Sequence, residues 1–245
     1  MPIQQTINER WGGKRVFVVT LCVLVLSVVS LVSAEPSTDF LVRDSDFVRG
    51  NPNAPVTVLE YSDFTCGFCE KFFHDTFPRL LSEYVDTGKV RFVYRDFPRS
   101  PGGPGLRASM AARCAGEQGS YWPMHDLLFN SDQQFSVEQL RGYAKKLGLD
   151  DMKFSECLLS EKYVKEIYQD RIEGGTLGVR GTPGFVIFIT SLPEDGEMVM
   201  IPGAFPYDVF QKEIEKVLKA VPADQTLEHP STSAIPVPQG QGIDS

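Results

Sequence analysis

Hydrophobic and polar positions alternate along the chain in blocks that predict strands and helices in a definite order. The apolar, β-branched run VTVLEY at residues 56–61 predicts a buried strand. Residues 89–97 (KVRFVYRDF), in which apolar and charged residues alternate, predict a second strand. Between them, aromatic residues and leucines recur at helical spacing over residues 66–85, so we expect a helix that bends at Pro78. A short edge strand is expected at residues 47–48.

The rest of the pattern predicts a helical block, a hairpin and a last helix. The helical block spans residues 106–176, with helices expected at 106–118, 121–129, 137–147, 152–159 and 161–172. Residues 185–189 and 197–201 predict a hairpin, and residues 206–221 an amphipathic helix. Strand–helix–strand at the front implies a parallel pair, so we expect an α/β fold with a mixed central sheet and an all-helical insertion between its βαβ and ββα halves.

Both ends of the chain differ from this globular pattern. Residues 16–34 form a 19-residue uncharged apolar run directly after Lys14 and Arg15. We expect a single-pass anchor, because the run is longer than the usual apolar core of a signal peptide. The short basic stub before it should then lie in the cytoplasm. The alternative is a signal peptide cleaved after Ala34. Residues 222–245 contain four prolines and neither lysine nor arginine, which predicts a disordered tail.

Both interpretations of residues 1–34 place the domain at residues 35–221 outside the cytoplasm, in an oxidising part of the cell envelope.

Composition adds two limits. With 24 basic and 32 acidic residues the net charge is −8, the wrong sign for a nucleic-acid partner. A hydrophobic fraction of 42% is enough for a packed core.

The chemistry is concentrated in Cys66-Gly67-Phe68-Cys69, where the first strand meets the following helix. A cysteine at a helix amino terminus is favoured as thiolate by unpaired N–H groups and the helix dipole, which lowers its pKa. Cys69, one turn on, is close enough to attack a mixed disulfide formed at Cys66. The alternatives are a structural disulfide and a zinc site, and the zinc site lacks a second closely spaced Cys or His pair. A redox-active Cys66–Cys69 disulfide needs no further cofactor and no metal.

These motifs resemble those of the DsbA-like thiol–disulfide oxidoreductases of the thioredoxin superfamily. Residues 55–69 (PVTVLEYSDFTCGFC) are similar to the first strand and active-site turn of that family, and residues 178–183 (GVRGTP) to its cis-proline loop. Residues 115–126 and 147–150 resemble parts of its helical insertion. The resemblance covers residues 47–221 and implies a thioredoxin fold.

The resemblance also implies roles for individual residues. Cys66 is then the nucleophile, Cys69 the resolving thiol, and Pro183 a cis-proline facing them. Next to Pro183, Thr182 would present its peptide groups to an extended substrate chain that pairs as an added strand. Without the CxxC motif, Pro183 would read as an ordinary turn proline before a strand.

Three further positions follow from the same resemblance. Glu60, six residues before Cys66, would be a buried acid that moves protons to and from Cys69; the alternative is a strand-edge residue facing solvent. Gly67 and Phe68 would contact substrate. A family member carries histidine where this chain has Phe68, so we expect a weaker oxidant in which the helix dipole and backbone donors supply most of the pKa depression.

A second cysteine pair lies in the helical block. Cys114 and Cys157 are 43 residues apart in two different predicted helices. Of the three ways to pair the four cysteines after residue 34, only the one joining Cys66 to Cys69 and Cys114 to Cys157 leaves the CxxC free to exchange. We expect a structural disulfide here, with two buried free thiols as the alternative.

The expected function is oxidation of exported proteins that carry reduced cysteines, with a membrane redox partner that reoxidises Cys66–Cys69. The membrane itself is a partner if residues 16–34 are retained. Two alternatives stay open: a disulfide isomerase or reductase, and a redox-silent, membrane-anchored thioredoxin-fold module for binding or chaperoning.

Overall fold

The computed structural model describes residues 41–100, 102–191 and 196–223. The predicted anchor or signal peptide at residues 1–34 and all but the first two residues of the predicted tail at 222–245 lie outside these ranges. None of the helices within the ranges combines the length and the hydrophobicity that a membrane crossing requires.

The strands form a mixed sheet. The strands of the described ranges are β1 (Val48–Arg49), β2 (Val56–Ser62), β3 (Val90–Asp96), β4 (Gly184–Ile189) and β5 (Val199–Ile201). They form one sheet in the order β1-β3-β2-β4-β5. The β2 and β3 strands are parallel, whereas β1, β4 and β5 each pair antiparallel with a neighbour. The predicted parallel pair and closing hairpin are therefore confirmed, and every residue of the central strand β2 is buried.

The helices stand in the predicted order. They are α1 (Gly67–Asp75), α2 (Phe77–Leu80), α3 (Pro104–Gly116), α4 (Tyr121–Phe129), α5 (Val137–Lys146), α6 (Asp151–Ser160), α7 (Val164–Thr176) and α8 (Tyr207–Ala220). A π-helical turn, Leu81–Val85, follows α2. Helices α3 to α7 form the all-helical insertion between the βαβ and ββα halves, as expected for this fold class.

The main difference from the predicted elements is a helix break at Thr76. Instead of one bent helix over residues 66–85, α1 ends at Asp75 and α2 begins at Phe77. Pro78 lies in the first turn of α2, where a missing N–H breaks no intrahelical bond. The proline therefore begins a new helix rather than bending an existing one.

The last helix of the insertion also differs from its predicted span of residues 161–172. Glu161 adopts a left-handed φ of 53° that ends α6, so α7 begins only at Val164. The helix then continues through Gly174, where a Cβ would lie 2.7 Å from the Tyr61 ring. Glycine at this position allows α7 to lie directly against β2.

Three clusters of buried side chains make up the core. Val56 and Val58 of β2 point to the face covered by α1, α2 and α8, whereas Leu59 and Tyr61 point to the opposite face. The insertion helices have a cluster of their own, which also includes Cys66, Cys69 and Phe64. The redox cysteines therefore lie where the sheet and the insertion meet.

A buried ion network holds the insertion against the sheet. Arg113 of α3 donates to Asp96, at the end of β3, at 2.7 Å, and to Asp170 of α7 at 2.5 Å. Arg43 also binds Asp170, from the segment before β1. Removing one member would leave a buried charge unpaired, which typically costs about 3–5 kcal/mol. The network therefore makes the position of α3 and α7 on the sheet specific.

The second cysteine pair forms a disulfide. Cys114 of α3 and Cys157 of α6 are joined at an S–S distance of 2.01 Å with their Cα atoms 5.8 Å apart. Cys66 and Cys69 are free thiols. The disulfide lies within the insertion and leaves the CxxC pair unengaged.

The double variant Cys114→Ala/Cys157→Ala should lose about 4 kcal/mol of unfolding free energy under oxidising conditions, because the cross-link closes a loop of 43 residues. Denaturant unfolding followed by circular dichroism measures this loss. The matched control, Cys66→Ala/Cys69→Ala, removes a short-loop pair and should lose far less. Equal losses in the two double variants would contradict the prediction.

Candidate redox-active site

A tight turn places Cys66 at the start of α1. The Cys66 N–H donates to the Asp63 carbonyl at 2.9 Å, and the Asp63 carboxylate accepts from the Thr65 N–H at 2.8 Å. Cys66 keeps an extended conformation, with φ −93° and ψ 116°, while its carbonyl accepts the N–H of Glu70. It is therefore the N-cap of the helix, as the CxxC position predicts.

The loop after α7 lies against this turn. The Thr182–Pro183 peptide bond is cis. The Cys66 thiol donates to the carbonyl oxygen of Thr182 at 3.3 Å. The Thr182 hydroxyl is buried and, within the described residues, has no hydrogen-bond partner. Thr182 thus places both its carbonyl and its hydroxyl beside the Cys66 sulfur.

The environment of Cys66 favours its thiolate. The hydrogen bond from the Cys69 thiol has the largest effect, and together with Thr182 and the backbone N–H groups of Cys69 and Phe68 it lowers the pKa of Cys66 to about 5, against the opposite effect of burial. We expected the helix dipole and backbone donors to supply most of this depression. The Cys69 thiol, one turn along the helix, has a larger effect than either backbone donor taken singly.

Cys69 has the opposite protonation preference. It is fully buried, and burial raises its pKa well above the usual range; the hydrogen bond to Cys66 and the charges of Glu60 and Cys66 act in the same direction. At neutral pH the pair therefore consists of a Cys66 thiolate and a Cys69 thiol. The Cys66 sulfur is therefore the more nucleophilic of the two, whereas the Cys69 thiol must lose its proton before it can attack.

Glu60 lies inside the protein behind this pair. It is 3% exposed, so the alternative of a solvent-facing strand edge is wrong. Burial raises the pKa of Glu60 to about 8; the nearby Ser62 hydroxyl opposes the rise, and the charge of Cys66 adds to it. A carboxyl with this pKa exchanges its proton near neutral pH.

An apolar groove runs beside the cysteine pair. It measures about 570 Å³ and is lined by Phe68, by residues 178–184 of the cis-proline loop, and by Met200 and residues 202–206. The Phe68 side chain is 68% exposed, and Met200 and Phe205 are exposed as well. Gly67 is exposed but does not line the groove, whereas Phe68, Thr182 and Pro183 do.

Sequence reasoning missed the far wall of this groove and the surroundings of Glu60. Met200 and Phe205 belong to β5 and the loop after it, and no local pattern marks them because folding alone brings them opposite Phe68. Ser62, two residues after Glu60 on the same strand, could have been found from strand periodicity.

Within the described residues, one group of three potential metal-ligating side chains lies close together, Cys114, Glu117 and Cys157, and it includes neither Cys66 nor Cys69. Two of those three sulfur and oxygen ligands are disulfide sulfurs, which offer no thiolate to a metal.

Residues 43–191 match the family model described as Thioredoxin. Over 146 residues the chain is 38% identical to the Na(+)/H(+) antiporter NhaA 1 of Salinispora arenicola, an alignment that covers 59% of this chain and 22% of the antiporter. It is 29% identical over 133 residues to a putative protein-disulfide oxidoreductase of Rickettsia bellii, covering 52% of this chain and 51% of the relative. The chain therefore spans about a fifth of the antiporter and about half of the oxidoreductase.

Two solved structures resemble this chain over nearly their whole length. Alpha-DsbA1 of Wolbachia pipientis has a TM-score of 0.66 and 26% identity, covering 76% of this chain and 98% of that structure. Oxidised BdbD of Bacillus subtilis has a TM-score of 0.61 and 25% identity, covering 71% and 94%. The fold expected from the active-site motifs is confirmed.

Replacing Thr182 by valine should raise the pKa of Cys66, because the side chain that favours the thiolate loses its hydroxyl while keeping its size. The pH dependence of Cys66 alkylation by iodoacetamide measures this, with an expected midpoint near pH 5 in the unsubstituted protein. Thr176→Val, on the exposed side of α7, should leave the midpoint unchanged. An unshifted midpoint in Thr182→Val would contradict the assignment.

Proposed function

Since this chain belongs to the thioredoxin family, we propose that it is an extracytoplasmic thiol–disulfide oxidoreductase that introduces disulfides into exported proteins by exchange at Cys66 and Cys69. The observation that carries the proposal is the opposite protonation preference of the two cysteines, with a pKa of about 5 at Cys66 and a raised pKa at the buried Cys69. A structural disulfide would need no such difference. The redox-active disulfide is the only cofactor that this chemistry requires.

In the oxidising direction the protein begins with a Cys66–Cys69 disulfide. A substrate thiolate attacks the Cys66 sulfur, forms a mixed disulfide and releases Cys69 as a thiolate, which takes up a proton. A second substrate thiolate then attacks its partner sulfur in the mixed disulfide. The products are an oxidised substrate and a Cys66 thiolate, so two electrons have moved from the substrate to the protein.

The stabilised thiolate gives this exchange its direction. Interactions that favour the Cys66 thiolate stabilise the reduced protein relative to the disulfide form, and a stabilised reduced form makes the disulfide a stronger oxidant. Cys66 is also the better leaving group, since a thiol with a lower pKa leaves faster. Both effects favour oxidation of substrate over reduction or isomerisation, the first alternative function. A reactive Cys66 thiolate also counts against a redox-silent binding module.

The groove beside Cys66 supports a polypeptide substrate. The Thr182 peptide group lies next to the Cys66 sulfur, where an extended chain could pair with it as an added strand. The exposed Phe68, Met200 and Phe205 side chains offer apolar surface to the residues that flank a substrate cysteine. Substrates are therefore proteins in which cysteines are still accessible on an extended segment.

The compartment and the redox partner remain part of the proposal. An oxidising space outside the cytoplasm is supported by the Cys114–Cys157 disulfide and by the basic residues Lys14 and Arg15 before the apolar run at 16–34. We infer a single-pass anchor there and a membrane partner that reoxidises Cys66–Cys69. Ion antiport is not included, because the chain aligns with only 22% of the antiporter relative.

The oxidised protein should restore activity to a reduced, unfolded ribonuclease, whereas Cys66→Ser should not. Cys69→Ser should instead accumulate a mixed disulfide with substrate, since the attacking sulfur remains and the resolving one is gone. Activity recovery and non-reducing gel electrophoresis measure these outcomes. A reduction potential as negative as that of a structural disulfide, below about −300 mV, would exclude the oxidase function.

Glu60→Gln should slow proton transfer to and from Cys69, lowering the rate of the resolving step by about 10²-fold, the lower end of what a positioned acid or base contributes. It should also flatten the pH dependence of stability. Burial raises the pKa of Glu60 to about 8, so the protonated form is favoured in the folded state. Stability is full below the unfolded pKa near 4.5 and falls as pH rises toward 8, by up to about 1.4 kcal/mol per pH unit.

Denaturant unfolding of the reduced protein between pH 5 and 8 measures this loss, and rapid-mixing kinetics measures the resolving step. Glu215→Gln is the control, because Glu215 is a carboxylate of α8 that accepts a hydrogen bond from the Tyr84 hydroxyl. It should change the pH dependence of neither the unfolding free energy nor the resolving rate. If the unfolding free energy of Glu60→Gln falls with pH as steeply as that of the unsubstituted protein, Glu60 does not titrate in this range.

A further inference from the structure

Ser62 is a second buried polar side chain on the strand that carries Glu60. Side chains two positions apart on a strand point to the same face, so Ser62 and Glu60 project together toward α1. Ser62 is 0% exposed and is the last residue of β2. The chain passes directly from it into the turn that leads to Cys66.

The Ser62 hydroxyl lacks the hydrogen bond that a buried hydroxyl normally has. Within the described residues it has no partner, and neither has Oε1 of Glu60. The same is true of the Tyr94 hydroxyl, on the β3 residue directly opposite Glu60. Because an unmade buried hydrogen bond is destabilising, three unengaged groups at one place next to the buried Cys69 require an explanation beyond packing.

The Ser62 hydroxyl affects the pKa values of both Glu60 and Cys69. Burial raises the pKa of Glu60 and that of Cys69, and the nearby Ser62 hydroxyl lowers each of them. A donor that lowers the pKa of an acid stabilises its ionised form. One hydroxyl therefore serves whichever of the two groups has lost its proton.

We propose that the Ser62 hydroxyl relays the proton between Cys69 and Glu60, an inference that rests on the proposed exchange chemistry of the site. In the resolving step the hydroxyl takes the proton of the Cys69 thiol and passes its own to the Glu60 carboxylate. The Cys69 sulfur then bonds to the Cys66 sulfur as the bond from Cys66 to the second sulfur breaks. That sulfur leaves as a thiolate with the electron pair.

In the opposite direction the relay runs backward. A substrate thiolate opens the Cys66–Cys69 disulfide, and the departing Cys69 thiolate receives the proton of Ser62. The protonated Glu60 carboxyl then donates its proton to the Ser62 oxygen. Serine ends each step unchanged, and no oxidant beyond the disulfide partner is needed.

The other groups that face Glu60 do not replace Ser62. From β4 the residue opposite Glu60 is Phe185, which carries no proton to exchange. From β3 it is Tyr94, whose phenol stays protonated because burial raises its pKa well above the usual range. At the start of α1, the titratable groups whose charges act on or respond to Glu60 are the N-cap Cys66 and Cys69.

Reaction with 5,5′-dithiobis(2-nitrobenzoate) separates the two half-steps. Attack by the Cys66 thiolate releases one nitrothiobenzoate and leaves the other in a mixed disulfide; attack by Cys69 on Cys66 then releases the second. Ser62→Ala should leave the first release unchanged and slow the second by at least about tenfold at pH 7, since positioned proton transfer contributes about 10²–10⁴-fold. The deficit should shrink at high pH, where hydroxide can deprotonate Cys69.

Direct titration provides a readout that does not depend on turnover. In carbon-13 spectra the pKa values of Glu60 and Cys69 should both rise in Ser62→Ala, because both ionised forms lose a donor. Ser62→Thr, which keeps the hydroxyl, should restore the second release if its melting temperature shows that the added methyl is accommodated.

Ser109→Ala is the matched control, since Ser109 is another buried hydroxyl without a partner among the described residues, but on α3. It should leave both releases unchanged. The relay is wrong if Ser62→Ala releases the second nitrothiobenzoate at the unsubstituted rate, or if Ser109→Ala slows it equally. If the unsubstituted protein itself never gives the second release, the proposed exchange function fails and the relay fails with it.

Discussion

The hydrogen bond between the Cys69 thiol and the Cys66 sulfur is the interaction on which the chemistry of this protein depends. It has the largest effect in lowering the pKa of Cys66 to about 5, and it adds to the rise that burial causes in the pKa of Cys69. This contact and the burial of Cys69 together separate the protonation of two chemically identical side chains. The separation persists because Cys66 caps a helix, where backbone N–H groups favour its thiolate, whereas Cys69, one turn on, is fully buried. A pair with equal environments would have no preferred nucleophile.

The surrounding fold maintains this difference. Strand β2 is buried along its whole length, which places Glu60 and Ser62 in the interior behind Cys69. The insertion covers the same region, held to the sheet by the Arg113–Asp96 and Arg113–Asp170 pairs. Burial lets Glu60 hold a proton near neutral pH. The helical block is thus more than an addition to the sheet, because its buried cluster also encloses Cys66 and Cys69.

Local patterns predicted most elements but failed where a boundary depends on neighbours. The period of aromatic residues over 66–85 is helical throughout, so the break at Thr76 was not visible in it; Pro78 suits a bend and a helix start equally well. The start of α7 depended on the left-handed Glu161, a conformation that no residue type signals there. Likewise, Met200 and Phe205 became one wall of the apolar groove only because β5 returns beside the cis-proline loop.

The sequence by itself determined the chemistry and its setting: a CxxC pair at a strand–helix junction, a Thr-Pro loop far along the chain, and a second cysteine pair in a helical block. Such motifs are legible because helix and strand geometry follow from short-range spacing. Only the tertiary structure decided the protonation of Cys66, the burial of Glu60, and the presence of Tyr94 beside it. Those properties arise from desolvation and from hydrogen bonds between segments distant along the chain, and neither is defined until the chain has folded.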